Sequence, residues 1–150
     1  MNPITIRKLA GTDTATRRDG AGITTGLLVK ICGLSTRETM EAALAGGADM
    51  VGLVFHPKSP RHVGLDQAAL LAGQAHGRAL VVALTVDADN AAIEAIMQAV
   101  LPDLIQCHGG EDEARLDQIL ALTGRPVMKA VGVADAVSYT HLTLPTNREV

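Results

Sequence analysis

The sequence predicts an α/β fold in which parallel strands alternate with helices. Short aliphatic runs recur along the chain, and a stretch whose apolar residues have helical spacing separates each run from the next. The repeat is about 22 to 30 residues long. Because 47% of the 150 residues are hydrophobic and only 1% are aromatic, the core has to be aliphatic, which is typical of α/β proteins.

The first two repeats are delimited by glycines and prolines. We predict strands at 28–32 and 50–55 and a helix between them that ends at Gly46 and Gly47. Ser35 or Thr36 can cap this helix, and Glu38 is spaced for a capping box with Ser35. The prolines at 57 and 60 mark a polar loop before a second helix at 65–74.

The remaining repeats follow the same order. We predict strands at 79–86, 104–107 and 126–131 and helices at 91–100 and 113–122. The run 79–86 is continuously aliphatic, as in a strand that is buried on both faces. Such units imply right-handed crossovers, and both an open doubly wound sheet and a (β/α)8 barrel have this pattern.

The ends of the chain lack this pattern. Residues 1–27 show neither period, and we expect a disordered N-terminal extension. The patterned part covers 28–137. Residues 138–150 resemble a translated sequencing adapter, so we expect a non-native tail.

Composition excludes several classes of function. A net charge of −3 and few aromatic residues argue against nucleic acid and anionic membranes as partners. No apolar run reaches the ~18 residues of a membrane span. Two cysteines and no secretory signal indicate a cytoplasmic location. The sequence CGLSTRE after the first strand lacks dinucleotide-binding spacing, and there is no Walker A motif.

Lys30 and Cys32 form the first candidate site. Side chains alternate along a strand, so these two share one face, while Val29 and Ile31 suit the face that meets the helices. A nearby ammonium favours the thiolate form of a cysteine, which can then act as a base or nucleophile. An inert buried cysteine is the alternative.

Two more strand ends carry polar candidates. His108 shares a face with Gln106 before two glycines, whereas Cys107 faces the other way and is interpreted as a packing residue. His108 is either a site residue or a loop histidine bonded to backbone. Arg61, after Ser59 and Pro60, suits the bidentate binding of a carboxylate or phosphate, although a solvated charge is the commoner role of a loop arginine.

These positions together resemble one family, phosphoribosylanthranilate isomerase of tryptophan biosynthesis. The resemblance covers residues 28 to about 136, and the combination of KICG with FHPKSPR is specific to it. In family order the matching segments are VKICGLSTRE, GADMVGLVFHPKSPRHV, VVALTVDAD, LIQCHGGE and PVMKAVGV.

The resemblance implies a fold, a reaction and a set of residues. It implies a (β/α)8 TIM barrel, here truncated to about the first five βα units. The reaction is the Amadori rearrangement of N-(5-phosphoribosyl)anthranilate to 1-(2-carboxyphenylamino)-1-deoxyribulose 5-phosphate, an aldose–ketose isomerisation without metal or organic cofactor. Cys32 would be the general base, and Arg61, His108 and Lys30 would bind the phosphorylated small-molecule substrate.

The family's general acid lies on a sixth strand, and its phosphate site follows strands seven and eight. Neither can be assigned here, so we expect the fragment itself to be inactive. We also expect low stability, open edges at the first and fifth strands, and exposed apolar residues on the barrel side.

Two other functions stay open. Cys32, His56, Asp87 and His108 all lie at strand ends, so a metal-dependent barrel enzyme is one alternative. A non-catalytic half-barrel scaffold that associates with itself or a partner is the other. The oligomeric state is left open by the sequence.

Overall fold

A computed structural model describes residues 28–132. Five strands alternate with four helices, as predicted. The strands are β1 (Lys30–Cys32), β2 (Met50–Val54), β3 (Leu80–Thr85), β4 (Leu104–Cys107) and β5 (Val127–Lys129). The helices are α1 (Arg37–Ala45), α2 (Leu65–Ala75), α3 (Asn90–Val100) and α4 (Glu113–Thr123). The predicted extension 1–27 and tail 138–150 lie outside the described residues.

The strand order separates the two architectures that the sequence left open. All four pairings are parallel, and the order is β1-β2-β3-β4-β5. A doubly wound sheet reverses its strand order at a switch point. Five strands in sequence order instead wind in one direction, so this part of the chain is built like a segment of a barrel.

The sheet separates two groups of apolar side chains. The larger group faces the helices and includes Val51, Val81, Ile105 and Cys107, each fully buried. This confirms the packing role predicted for Cys107. Burial also raises the pKa of its thiol, and the carboxylate of Glu111 raises it further.

The smaller group lies on the opposite, concave face of the sheet. Met50, Val82, Leu84 and Leu104 form it and are at most 7% exposed. The expectation that barrel-side apolar residues would be exposed is therefore wrong for these four. They contact one another and partly buried neighbours at Val54, Leu80 and Met128, which together exclude water.

Local details differ from the sequence prediction at the first helix and at the sheet edges. Thr36 caps α1, and its capping box uses Thr39 rather than the predicted pair of Ser35 and Glu38. The helix begins at Arg37, so the third helical residue is Thr39. The strands β1 and β5, each of which pairs with only one other described strand, are two and three residues shorter than predicted, and the central strand β3 is two residues shorter.

Candidate active site

The predicted site residues on β1 and β4 are joined across the concave face. The Lys30 ammonium lies 3.9 Å from Cys32 Sγ and donates a short hydrogen bond to Gln106 Oε1. The other side of the Gln106 amide contacts His108, with 2.7 Å between the two Nε2 atoms. A continuous polar line therefore runs from the Cys32 thiol to the His108 ring.

The contact between Lys30 and Gln106 shows that the sheet is curved. The strands β1 and β4 are separated by β2 and β3, which is about 14 Å along a flat sheet. Two side chains can bridge strands so far apart only if the sheet bends towards them. The concave face is the barrel side, and it holds both predicted polar pairs.

Arg61 reaches the same end of β1 from the loop after β2. Its guanidinium donates from Nη1 to the backbone carbonyl of Cys32 at 3.5 Å. The backbone N–H of Arg61 donates to Ser59 Oγ at 3.2 Å. At the end of the loop, the backbone N–H of Val63 donates to the carbonyl of Val54, which attaches the chain to β2 again. The loop thus places an exposed arginine beside the candidate base.

Two glycines make room around Cys32. A Cβ atom at Gly33, whose φ is +81°, would lie 2.4 Å from Arg61 Cδ. A Cβ atom at Gly52, the register partner of Cys32 on β2, would lie 3.0 Å from Cys32 Sγ and 2.9 Å from Leu84 Cδ1. Both the thiol and the arginine therefore occupy space that a side chain would take.

Burial and charge shift the titration of two site residues. Burial lowers the pKa of Lys30, although the neighbouring Cys32 thiol partly opposes this shift. Partial burial also lowers the pKa of His108, the Lys30 ammonium lowers it further, and Glu111 opposes both. Taken together, these effects favour the neutral imidazole form of His108.

A second polar cluster, which the sequence analysis missed, joins the ends of β3, β4 and β5. The buried Glu111 carboxylate accepts from the backbone N–H groups of Asp87 and Gly109, each at 2.8 Å. Lys129 donates to Glu111 at 2.7 Å and to the Gly109 carbonyl at 2.5 Å. Asp87 in turn accepts from Gly110 at 2.6 Å. This cluster fixes the loop that follows His108.

The residues proposed for a metal site do not converge. Among residues 28–132, no group of three or more His, Cys, Asp or Glu side chains is arranged to hold a metal ion. Cys32, His56, Asp87 and His108 are therefore not brought together as ligands. Separately, none of the helices in this range has the length and hydrophobicity that crossing a bilayer requires.

Fold and site together define a class. A thiol, a lysine, a histidine and an arginine surround the carboxyl ends of strands in a singly wound, curved parallel sheet, as in enzymes built on a (β/α)8 barrel. The family model described as N-(5'phosphoribosyl)anthranilate (PRA) isomerase matches residues 29–148. The chain belongs to this family.

Named relatives agree with this assignment. The N-(5'-phosphoribosyl)anthranilate isomerase of Bradyrhizobium sp. (strain ORS 278) is 58% identical over 116 residues, which are 77% of this chain and 53% of that protein. The corresponding protein of Bradyrhizobium diazoefficiens is 62% identical over 108 residues, or 72% of this chain and 48% of that protein. The chain thus spans about half the length of the curated relatives it matches.

Solved structures of the family share the fold. The phosphoribosylanthranilate isomerase of Thermotoga maritima is 29% identical, with a TM-score of 0.72 over 77% of this chain and 55% of that one. A phosphoribosylanthranilate isomerase in complex with reduced 1-(o-carboxyphenylamino)-1-deoxyribulose 5-phosphate has the same identity and TM-score, over 77% of this chain and 58% of that one.

Proposed function

We propose that this chain carries the base side of a phosphoribosylanthranilate isomerase site. The reaction is the Amadori rearrangement of N-(5-phosphoribosyl)anthranilate to 1-(2-carboxyphenylamino)-1-deoxyribulose 5-phosphate, a step of tryptophan biosynthesis in the cytoplasm. The observation that carries the proposal is the position of Cys32, which lies at the carboxyl end of β1 beside the Lys30 ammonium and the Arg61 guanidinium. The ligand bound in a solved relative is a reduced form of this product.

Cys32 supplies the base in this proposal. The ammonium of Lys30 lies 3.9 Å from Sγ, within reach of the sulfur that acts as the base. The thiolate removes the C2′ proton of the ring-opened Schiff base, whose nitrogen is protonated. The C–H electrons form a C1′–C2′ double bond, and the C=N π electrons move to the positively charged nitrogen and neutralise it. Reprotonation at C1′ and loss of the enol proton then give the ketose. The proton balance closes without an oxidant or reductant.

Arg61 binds the anthranilate carboxylate in this proposal. An arginine has five N–H donors in a planar fork that matches a carboxylate. Within the part of the chain that the structure describes, its guanidinium makes one hydrogen bond, to the Cys32 carbonyl. That bond points the fork over the end of β1, next to the base. Binding the substrate there would hold its aryl amine near the Cys32 thiol.

His108 and Lys30 bind the sugar part of the substrate. Both lie on the concave face, and neutral His108 can exchange hydrogen bonds with sugar hydroxyls. The resemblance implies a general acid on a sixth strand, so this proposal assigns the acid that opens the ring to none of the five described strands. The partner is thus a small phosphorylated molecule, and neither nucleic acid nor a membrane is required.

A chimeric enzyme tests this function. Residues 29–132 replace the matching segment of the Bradyrhizobium diazoefficiens isomerase, and the chimera is introduced into a tryptophan auxotroph that lacks this enzyme. We expect rescue by the chimera, and a loss of at least about 100-fold in turnover with Cys32→Ala. The 150-residue chain alone should give no rescue, because the proposal assigns the acid to none of its described residues.

Cys107→Ala is the matched control, since it also removes a thiol but on the helix side of the sheet. It should retain rescue. The proposal is wrong if the soluble chimera has no isomerase activity, or if Cys32→Ala is as active as Cys107→Ala.

A further inference from the structure

We propose that Gln106 is a positioning residue that fixes His108 in the tautomer with its proton on Nδ1 and holds the Lys30 ammonium beside Cys32. This inference deepens the proposed function, because it says how the site is arranged before substrate binds. Only its consequence for turnover rests on the proposed function.

The direction of the Gln106 amide determines the tautomer. The ammonium of Lys30 can only donate hydrogen bonds, so the atom that meets it has to be Oε1. Gln106 Nε2 is then the atom that lies 2.7 Å from His108 Nε2. An amide N–H group only donates, so this histidine nitrogen accepts. In a neutral imidazole one nitrogen accepts and the other carries the proton, which here is Nδ1.

The charges around His108 favour the same state. Lys30 on β1 and Lys129 on β5 act against protonation of the ring, and the Glu111 carboxylate acts for it. Together with partial burial, the two ammonium groups dominate and lower the pKa of His108. A protonated ring would also direct a second donor against the Gln106 amide. The hydrogen-bond geometry and the electrostatics therefore agree on a neutral ring.

Gln106 also positions Lys30, at the Cys32 end of the polar line. Lys30 is half-buried on the concave face, and its ammonium has the Gln106 carbonyl oxygen and the Cys32 thiol as neighbours. A long lysine side chain gains rotamer freedom when its partner is removed. Without the oxygen of Gln106, the ammonium would turn towards solvent and leave the thiol. Gln106 thereby connects the state of His108 to the environment of Cys32.

Histidine-ring NMR of the 150-residue chain tests the tautomer directly. The five histidines are separated by their ring nitrogen shifts, and His108 is assigned from the signal that His108→Asn removes. In the unaltered chain we expect the Nδ1–H tautomer for His108. Finding the Nε2–H tautomer there would overturn the proposal, and this measurement requires no variant at position 106.

Gln106→Glu reverses the polarity of the contact. A carboxylate only accepts, so His108 Nε2 has to donate, and its ring either changes tautomer or becomes protonated. We expect the Nε2 signal to change and the pKa of His108 to rise by about one unit or more. Gln98→Glu makes the same chemical change on the exposed side of α3 and should leave His108 unchanged. An unchanged His108 in Gln106→Glu would contradict the proposal.

The rate of Cys32 alkylation tests the second part of the proposal, that Gln106 holds the Lys30 ammonium beside Cys32. Gln106→Leu removes the oxygen that holds Lys30, so we expect alkylation at pH 7 to slow by about three- to tenfold. The buried Cys107 thiol is the internal reference for intact folding. An unchanged Cys32 rate would contradict this half. Neither readout needs turnover, so an inactive chimera with the expected tautomer would refute the proposed function alone.

Discussion

Gly33 lies between the two side chains that the proposed reaction needs. Its φ of +81° is in the region that favours glycine, and the Arg61 side chain occupies the space where a Cβ would be. An added methyl group meets the middle of a flexible, exposed arginine, so the side chain can move away at little steric cost. The change should therefore affect the position of Arg61 more than it affects the fold.

Gly33→Ala and Gly77→Ala form a matched pair. Gly77 has a φ of +79°, and a Cβ there would meet nothing within 4 Å, so both variants bear the same backbone strain of about 1 kcal/mol. Only Gly33→Ala displaces Arg61, and we expect it to weaken binding of reduced 1-(o-carboxyphenylamino)-1-deoxyribulose 5-phosphate about tenfold. Calorimetric titration of the chimeric enzyme carrying each variant measures the affinity, and urea unfolding of the same proteins measures the cost of the backbone strain. Equal affinities would show that Gly33 does not position Arg61.

At the residue scale, the sequence predicted which face a side chain occupies better than which partner it contacts. Alternation along a strand placed Lys30 with Cys32 and Gln106 with His108, and the structure has both pairs on the concave face. The bond between Lys30 and Gln106 spans 76 residues and depends on sheet curvature, which periodicity does not encode. The sequence feature that could have indicated this contact is the polar Gln106 in an otherwise aliphatic strand.

One buried carboxylate, that of Glu111, connects the ends of β3, β4 and β5 by hydrogen bonds. Glu111 follows Gly109 and Gly110, and its oxygens accept from two backbone N–H groups and from Lys129. A Cβ at Gly109 would lie 2.3 Å from Asp87 Oδ1, so the loop can approach this closely only with glycine there. The Glu111 cluster therefore sets the path of the chain immediately after His108.

Glu111→Gln should lower the free energy of unfolding by about 2 kcal/mol, because it removes the charge from hydrogen bonds in a buried site. Glu41→Gln breaks an ion pair with Arg78 in which both side chains are exposed, and it should change stability little. Urea unfolding at pH 7 compares the two. A loss in Glu111→Gln no larger than that in Glu41→Gln would show that the Glu111 cluster does not stabilise the fold.

The stabilisation that Glu111 provides should also depend on pH. Burial raises the pKa of Glu111, but the Lys129 ammonium and the Asp87 N–H outweigh burial and leave it below its ordinary value. A group whose pKa is lowered by folding stabilises the protein above its unfolded pKa, which is about 4.3 for glutamate. This contribution is lost as the pH falls through the folded pKa. The difference in unfolding free energy between the unaltered chain and Glu111→Gln should therefore shrink below about pH 4.3, as measured by urea unfolding over a series of pH values. A difference that is independent of pH would contradict this prediction.

At the element scale, the strand β4 and helices such as α3 and α4 were predicted most closely. The bounds of β4 match the prediction, and those of α3 and α4 differ from it by one residue at one end. The strands β1 and β3 were each predicted two residues too long, and β5 three residues too long. Aliphatic runs report where a strand can form, whereas its length depends on a partner for the backbone groups. The sequence does not reveal where along each run the pairing with a neighbouring strand stops.

For the whole molecule, the order of the strands is the decisive property. Among residues 28–132, a singly wound order puts the four helices on one side of the sheet and leaves one concave face for the polar line between Cys32 and His108. The sequence pattern alone was compatible with a doubly wound sheet, because both architectures repeat the same βα unit. The motifs KICG and FHPKSPR were specific enough to distinguish them, although local periodicity was not.

The strand β1 gives the molecule an apolar edge. On the helix side, Ile31 is 39% exposed and Val29 is 40% exposed, whereas Val51, the register partner of Ile31, is fully buried. Among the described strands, β1 pairs only with β2. Exposed strand edges with apolar side chains pair with other chains, and lysine at such an edge opposes pairing.

We therefore expect the chain to associate as its concentration rises, and Ile31→Lys to weaken this association about tenfold. The lysine stem can still cover Val29 while its ammonium stays in water, so folding should be retained. Leu70→Lys is the matched control, because Leu70 is 69% exposed on α2, away from the edge. Sedimentation velocity over a series of concentrations measures association, and circular dichroism checks folding. If Leu70→Lys reduced association as much as Ile31→Lys, general surface hydrophobicity rather than the β1 edge would drive it.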